Sequence, residues 1–130
     1  MSRLRITARL RGSAALRREL KRRGGAAQKA LARALFLEGE QIMGKSKRLV
    51  PVDTGALRAS GHVQLPVIRG KKVTVVLGYG GAAALYAVFV HEKQARHNPP
   101  TQWKYLEQPL NEAIPGMAGR LARRMKRDVA

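Results

Sequence analysis

The chain has 130 residues, with 26 lysines and arginines against 8 acids and no cysteine, for a formal charge of +18. That length suits one domain, residues 1–130, hiding roughly two thirds of the surface its unfolded form exposes, so a core forms without crosslinks. Disulfides and thiolate metal sites are excluded, and 45% apolar residues describe a globular domain with its basic excess on the surface, not a disordered tail.

Six arginines and no acid fall in the first 18 residues, as in a transit peptide, but Leu4, Ile6, Ala8 and Leu10 alternate with Arg3, Arg5, Thr7 and Arg9. That alternation predicts a strand. Ser13 then caps a helix that turns Leu16 and Leu20 inward and Arg17, Arg18, Lys21 and Arg22 outward, and Gly24 and Gly25 end it. Glu19 precedes Arg22 and Arg23 by three and four residues, the spacing at which a helical carboxylate relieves their repulsion.

A longer helix is expected from about Ala26 to Leu49, because apolar pairs recur at Leu35 and Phe36, Ile42 and Met43, Leu49 and Val50. Gly39 and Gly44 weaken it, and Pro51 stops it. Residues 61–79 alternate as a hairpin: Val63, Leu65 and Val67, a turn at Gly70-Lys71-Lys72, then Val73, Val75, Leu77 and Tyr79. Pro66 marks the first arm as an edge or a bulge. The apolar run Ala82 to Val90 has no polar face to set a period, so helix and strand both remain open there. At nine residues it falls short of the roughly twenty that a spanning helix needs.

Residues 93–102 are polar and include Pro99 and Pro100, which predicts an exposed loop or arm. Trp103, Leu106, Leu110, Ile114, Met117, Leu121 and Met125 then follow at spacings of three or four, a last helix that Pro109 and Pro115 restart or kink. Its tail, with Arg120, Arg123, Arg124, Lys126 and Arg127, forms a basic face. The expected architecture is α+β: a basic N-terminal strand and two helices, a small antiparallel sheet with a hairpin, and a C-terminal helix kinked at prolines.

Three patterns imitate chemistry. Asp53-Thr54-Gly55-Ala56 is the tetrapeptide with which retroviral-type aspartic proteases bring paired carboxylates to a dimer interface. Here it follows a basic helix end and a proline, where a short helix through Leu57 capped by Asp53 or Thr54 is the simpler expectation. Gly78-Tyr79-Gly80-Gly81-Ala82-Ala83 resembles a dinucleotide fingerprint, but the acid-bearing strand that such a site needs is replaced by the Asn98-Pro99-Pro100 loop. His91, Glu92 and His97 lack the four-residue histidine spacing of a helical zinc site. No catalytic constellation, metal site or cofactor is expected. Glu92 suits a surface or intersubunit acceptor for arginine. Arginine supplies 17 of the 26 bases, and its planar fork suits phosphate or carboxylate, so a polyanionic partner is expected; six aromatics are too few for a stacking platform.

The segment Val50-Pro51-Val52-Asp53-Thr54-Gly55-Ala56-Leu57-Arg58-Ala59-Ser60 resembles the signature of a tailed-phage family of head-tail joining proteins, also called neck, tail-completion or minor capsid proteins. Tyr86-Ala87-Val88-Phe89-Val90-His91-Glu92 resembles that family's penultimate segment, and Trp103 to Ala113 lies where its C-terminal helix begins. The chain departs from the pattern after Glu92, where Lys93-Gln94-Ala95 replaces an aromatic residue, Gly and Thr. The resemblance implies a non-enzymatic virion protein of a long-tailed phage or prophage, closing a homo-oligomeric ring at the head-tail junction.

Its implied partners are sister copies, neighbouring connector and tail proteins and double-stranded DNA in transit, with no membrane. It assigns an assembly turn to Pro51, Asp53, Thr54, Gly55, Leu57, Arg58 and Ser60, and subunit contacts to Tyr86 and Glu92. Arg17, Arg18, Lys21, Arg22 and Arg23 form the expected polyanion contact, together with the basic tail from Arg120 to Arg127. The rival readings are a small basic DNA-binding protein of nucleoid or transcription type, which the charge favours equally, and the aspartic protease acting through Asp53.

Overall fold

In the computed structural model of the chain, the described residues are 4–10, 14–50, 55–70, 72–80, 84–90, 96–98 and 104–127. The order is β1 (Leu4–Leu10), α1 (Ala14–Arg23), one 3-10 turn (Gly24–Ala26), α2 (Ala27–Leu49), α3 (Gly55–Ala59), β2 (His62–Val63), β3 (Val67–Arg69), β4 (Lys72–Tyr79), β5 (Ala84–Val90), β6 (Arg96–Asn98), α4 (Lys104–Ala113) and α5 (Met117–Arg127). The fold is α+β, as the periodicities predict.

The run from Ala82, open between helix and strand in sequence, supplies β5, which pairs antiparallel with β4 from Val73↔Val90 to Tyr79↔Ala84. The first hairpin arm is interrupted: β2 pairs with Leu77 and Gly78 of β4, β3 pairs with residues 72–74, and Gln64 to Pro66 between them are in neither strand. That break falls where Pro66 removes a ladder donor. The sheet runs β2-β4-β5-β1-β6, with β3 beside β4. Its pairings are antiparallel except for β1, which lies parallel to β5 over Leu4↔Ala84 to Leu10↔Val90. A parallel neighbour needs a long crossover, and α1 through β4 provide it. Arg96–Asn98, inside the stretch expected to be a loop, pairs with β1 as β6.

The core forms where α2 crosses β4. Val73, Val75, Leu77 and Tyr79 of β4 are buried at alternate positions, and α2 meets them with Leu31, Leu35, Ile42 and Met43. Ala27, Ala30 and Ala34 extend the buried stripe of α2 toward its start, whereas Leu49, expected on that stripe, is 47% exposed and leaves Val50 to close the core. Gly39 marks the closest approach of helix to sheet: a Cβ there would stand 3.1 Å from Val63 Cγ1 and 3.4 Å from Val75 Cγ1.

The C-terminal periodicity resolves into two helices. Pro109 sits buried within α4 without ending it, and the break comes after Ala113, where Gly116 takes φ 78°. Positive φ is where glycine has no steric penalty, so Pro115-Gly116 stops one helix and lets the next begin. Leu106 and Leu110 of α4 and Met117, Leu121 and Met125 of α5 pack into the core, with α4 and α5 against α2 and α5 against α1.

Candidate polyanion and assembly surface

The packing of α1 on α5 brings together two basic segments separated by nearly the whole chain. Arg17, Arg18, Lys21 and Arg22 of α1 and Arg123, Lys126 and Arg127 of α5 are exposed. Lys21, Arg22 and Arg23 occupy the last turn of α1, and Arg124, Lys126 and Arg127 the last turn of α5, where the helix dipole favours cations. Part of the positive charge is therefore matched to the helices that carry it.

Not all ten expected contact residues face outward. Glu38, on the buried face of α2 and only 2% exposed, accepts Arg120 Nε on Oε1 and Arg124 Nε on Oε2, each at 2.9 Å. Arg120 also donates Nη1 to the Pro115 carbonyl at 3.2 Å and Nη2 to the Ala113 carbonyl. Arg120 is thus a brace joining α2, the end of α4 and α5.

Glu19, also 2% exposed, receives Arg22 Nη2 at 3.1 Å and Arg22 Nε at 3.3 Å. The Arg22 hydrogen bond holds its carboxyl below the ordinary value of 4.5, against the opposing effect of burial and with help from the charges of Arg22, Lys126 and Arg23. Arg23 is half-buried, and its Nε and Nη2 have no hydrogen-bond partner among the described residues.

Of the expected assembly turn, Pro51, Asp53 and Thr54 lie outside the described residues, while Gly55, Leu57 and Arg58 belong to the short helix α3. Arg58 Nη2 donates to the Val50 carbonyl at 2.9 Å, bridging the end of α2 to α3. Ser60 Oγ accepts the Gly80 amide at 2.9 Å, fixing the turn to the end of β4. Gly61 follows in a slot with room for no side chain: a Cβ would come within 2.8 Å of Tyr79 Cε1 and Lys47 Cε and 2.9 Å of Met43 Sδ. Ser46 Oγ and Tyr79 OH share a 2.6 Å hydrogen bond, and the Tyr79 ring meets Tyr105 edge-on at 5.1 Å. Burial raises the Tyr79 pKa despite the lowering effects of the Ser46 bond and the Arg58 charge, and burial likewise raises that of Tyr105. Arg58 and Ser60 thus tie α3 and the residue after it to the end of α2 and the end of β4.

Tyr86 is placed mid-strand in β5, in register with Leu77 on one side and Ile6 on the other; Glu92 lies outside the described residues. Asp53 also lies outside them, between the end of α2 and the start of α3. Gly78 and Gly80 lead into an antiparallel strand, not into the helix that a dinucleotide phosphate site requires. Among the described residues no group of three or more His, Asp or Glu is placed to hold a metal, and no helix is long and apolar enough to cross a membrane. Sequence reasoning missed Glu38, Ser46 and the buried position of Glu19. Glu38 falls three after Leu35 and four before Ile42, and an acid on an apolar stripe is the available signal of a buried ion pair.

These residues define an α+β domain whose prominent polar features are ion-paired helices, a docked turn and exposed basic side chains. A family model described as "Bacteriophage HK97-gp10, putative tail-component" matches residues 14–108. The chain belongs to this HK97-gp10-like family and is a phage tail-component structural protein. The match spans α1 to within α4 and covers both the Val50 to Ser60 turn and the Tyr86 to Glu92 segment. The chain matches no curated protein and no solved structure.

Proposed function

We propose that this tail-component protein works at the head-tail junction, closing a homo-oligomeric ring there and presenting the α1 and α5 bases to DNA in transit or to acidic neighbouring proteins. The observation that carries the reading is the packing of α1 on α5, which gathers ten bases on two adjacent helices; Arg22 pairs with Glu19 and Arg120 and Arg124 with Glu38, so Arg17, Arg18, Lys21, Arg123, Lys126 and Arg127 are the exposed bases outside those pairs. Such a concentration attracts a polyanion. A ring of identical subunits needs two different complementary patches on each copy. The turn from Asp53 to Ser60 and the 93–102 segment, including β6, are the proposed patches, with Tyr86 and Glu92 contributing to the subunit contact. The protein has no reaction of its own in this reading.

Reversing three exposed charges of α1 (Arg17→Glu, Arg18→Glu and Lys21→Glu) tests it, because these side chains are exposed and Arg22 stays with Glu19. Particles assembled with the triple variant are expected to lose tail attachment or DNA retention, seen by electron microscopy as full or emptied heads beside free tails. Particles equal to the parent in both respects would overturn the assignment. A dedicated binder of free duplex instead predicts a discrete monomer or dimer whose affinity falls steeply with salt.

A further inference from the structure

A cleft of about 190 Å³ lies between α2 and α5, and its lining combines two chemistries. Ala30, Ala34 and Leu37, spaced three or four apart on one face of α2, form an apolar wall; Arg33, Arg124 and Arg127 supply guanidinium groups. Leu37 is 47% exposed, one of the larger apolar side chains the fold leaves in solvent. Arg124, 21% exposed, is fixed in place by its Nε bond to buried Glu38 at 2.9 Å and lines the cleft. A guanidinium held this way loses little freedom when it donates to a second carboxylate, which favours binding.

We propose that this cleft is a docking site for an acidic amphipathic segment of a different protein, seating an aliphatic side chain against Leu37 and a carboxylate on Arg124 and Arg127. The volume is comparable with the roughly 150 Å³ cavity that accommodates benzene, so one branched side chain fits. Charge complementarity selects the occupant. A second copy of this chain carries +18 and is repelled by like charge; of its described acids Glu19 and Glu38 are buried in ion pairs, and Glu40, Glu107 and Glu112 stand against the 26 bases of the chain. A phosphodiester backbone satisfies the guanidinium groups but has no aliphatic group for the apolar wall. An Asp or Glu within one helical turn of a Leu, Ile or Val satisfies both. The proposal rests on the reading that this chain works among other virion proteins, and it names the chemistry by which one of them is held.

The test uses the full chain and two fluorescent helical peptides, one with Leu and Glu on the same face and one with Ser replacing each Leu. At a salt concentration that screens exposed charges, the Leu-bearing peptide is expected to bind about fivefold more tightly than the Ser peptide, the gain from covering half a leucine side chain. Leu37→Ser, at an exposed position, should abolish that advantage and leave duplex DNA affinity unchanged. Equal binding of the two peptides, or an unaltered advantage in Leu37→Ser, overturns the proposal. So does a change in self-association of Leu37→Ser without peptide, which would assign the cleft to a second copy. Reduced duplex affinity in that variant would assign it to DNA and also overturn the proposal. Absence of the chain from purified particles would sink the virion reading instead, whatever the peptides do.

Discussion

Glu19 and Glu38 sit on the buried faces of their helices, each with arginine on both carboxylate oxygens. Burying a charge is costly unless it is paired and hydrogen-bonded, so these pairs matter most for what happens when a partner is lost. For Glu19 the consequence depends on pH. Its folded pKa lies below the ordinary 4.5, so the carboxylate contributes stability that is complete above that value and is lost as pH falls through the lowered one. Urea unfolding of the parent and of Glu19→Gln should therefore differ by a constant amount well above 4.5 and converge as the pH drops below it. A gap that widened on acidification would contradict the assigned direction.

At the scale of elements, α2 shows why two glycines in one helix are not equivalent. Gly44 is exposed with nothing within 4 Å of a built Cβ, whereas Gly39 presses against Val63 and Val75. Gly44→Ala should stabilise the protein by about 1 kcal/mol, the helix-propensity difference, read as a higher urea midpoint. In Gly39→Ala the same gain is opposed by crowding at the sheet, where overpacking costs about 1–3 kcal/mol, so no net gain is expected. If Gly39→Ala stabilised as much as Gly44→Ala, the close approach of α2 to β2 and β4 would be in error. Both glycines read in sequence only as weak points of a helix. The distinction between them appears once the strands 24 and 36 residues beyond Gly39 are laid across it.

For the whole molecule the governing quantity is the charge of +18. Like charges repel in the compact state, and salt relieves this as the Debye length falls from about 30 Å at 0.01 M to about 3 Å at 1 M. The thermal midpoint should therefore rise over that range while association with polyanions weakens. A midpoint that fell with added salt would show that attractive pairs, such as those of Glu38, outweigh the repulsion.

Helix positions, the hairpin, the α+β class and the family signature were all readable in the linear chain, because periodicity, caps, glycines and prolines act over a few residues. Leu16, Leu35 and Val75 announce their burial by their spacing alone. The tertiary structure decided what depends on distant segments: the parallel seating of β1 beside β5, the meeting of the α1 and α5 bases, and the inward turn of Arg120 and Arg124 onto Glu38. No local pattern encodes which arginine faces solvent and which braces the core. That choice is made where α5 brings Arg120 and Arg124 to the two oxygens of Glu38, 82 and 86 residues away in the chain, and a charge count treats every arginine alike.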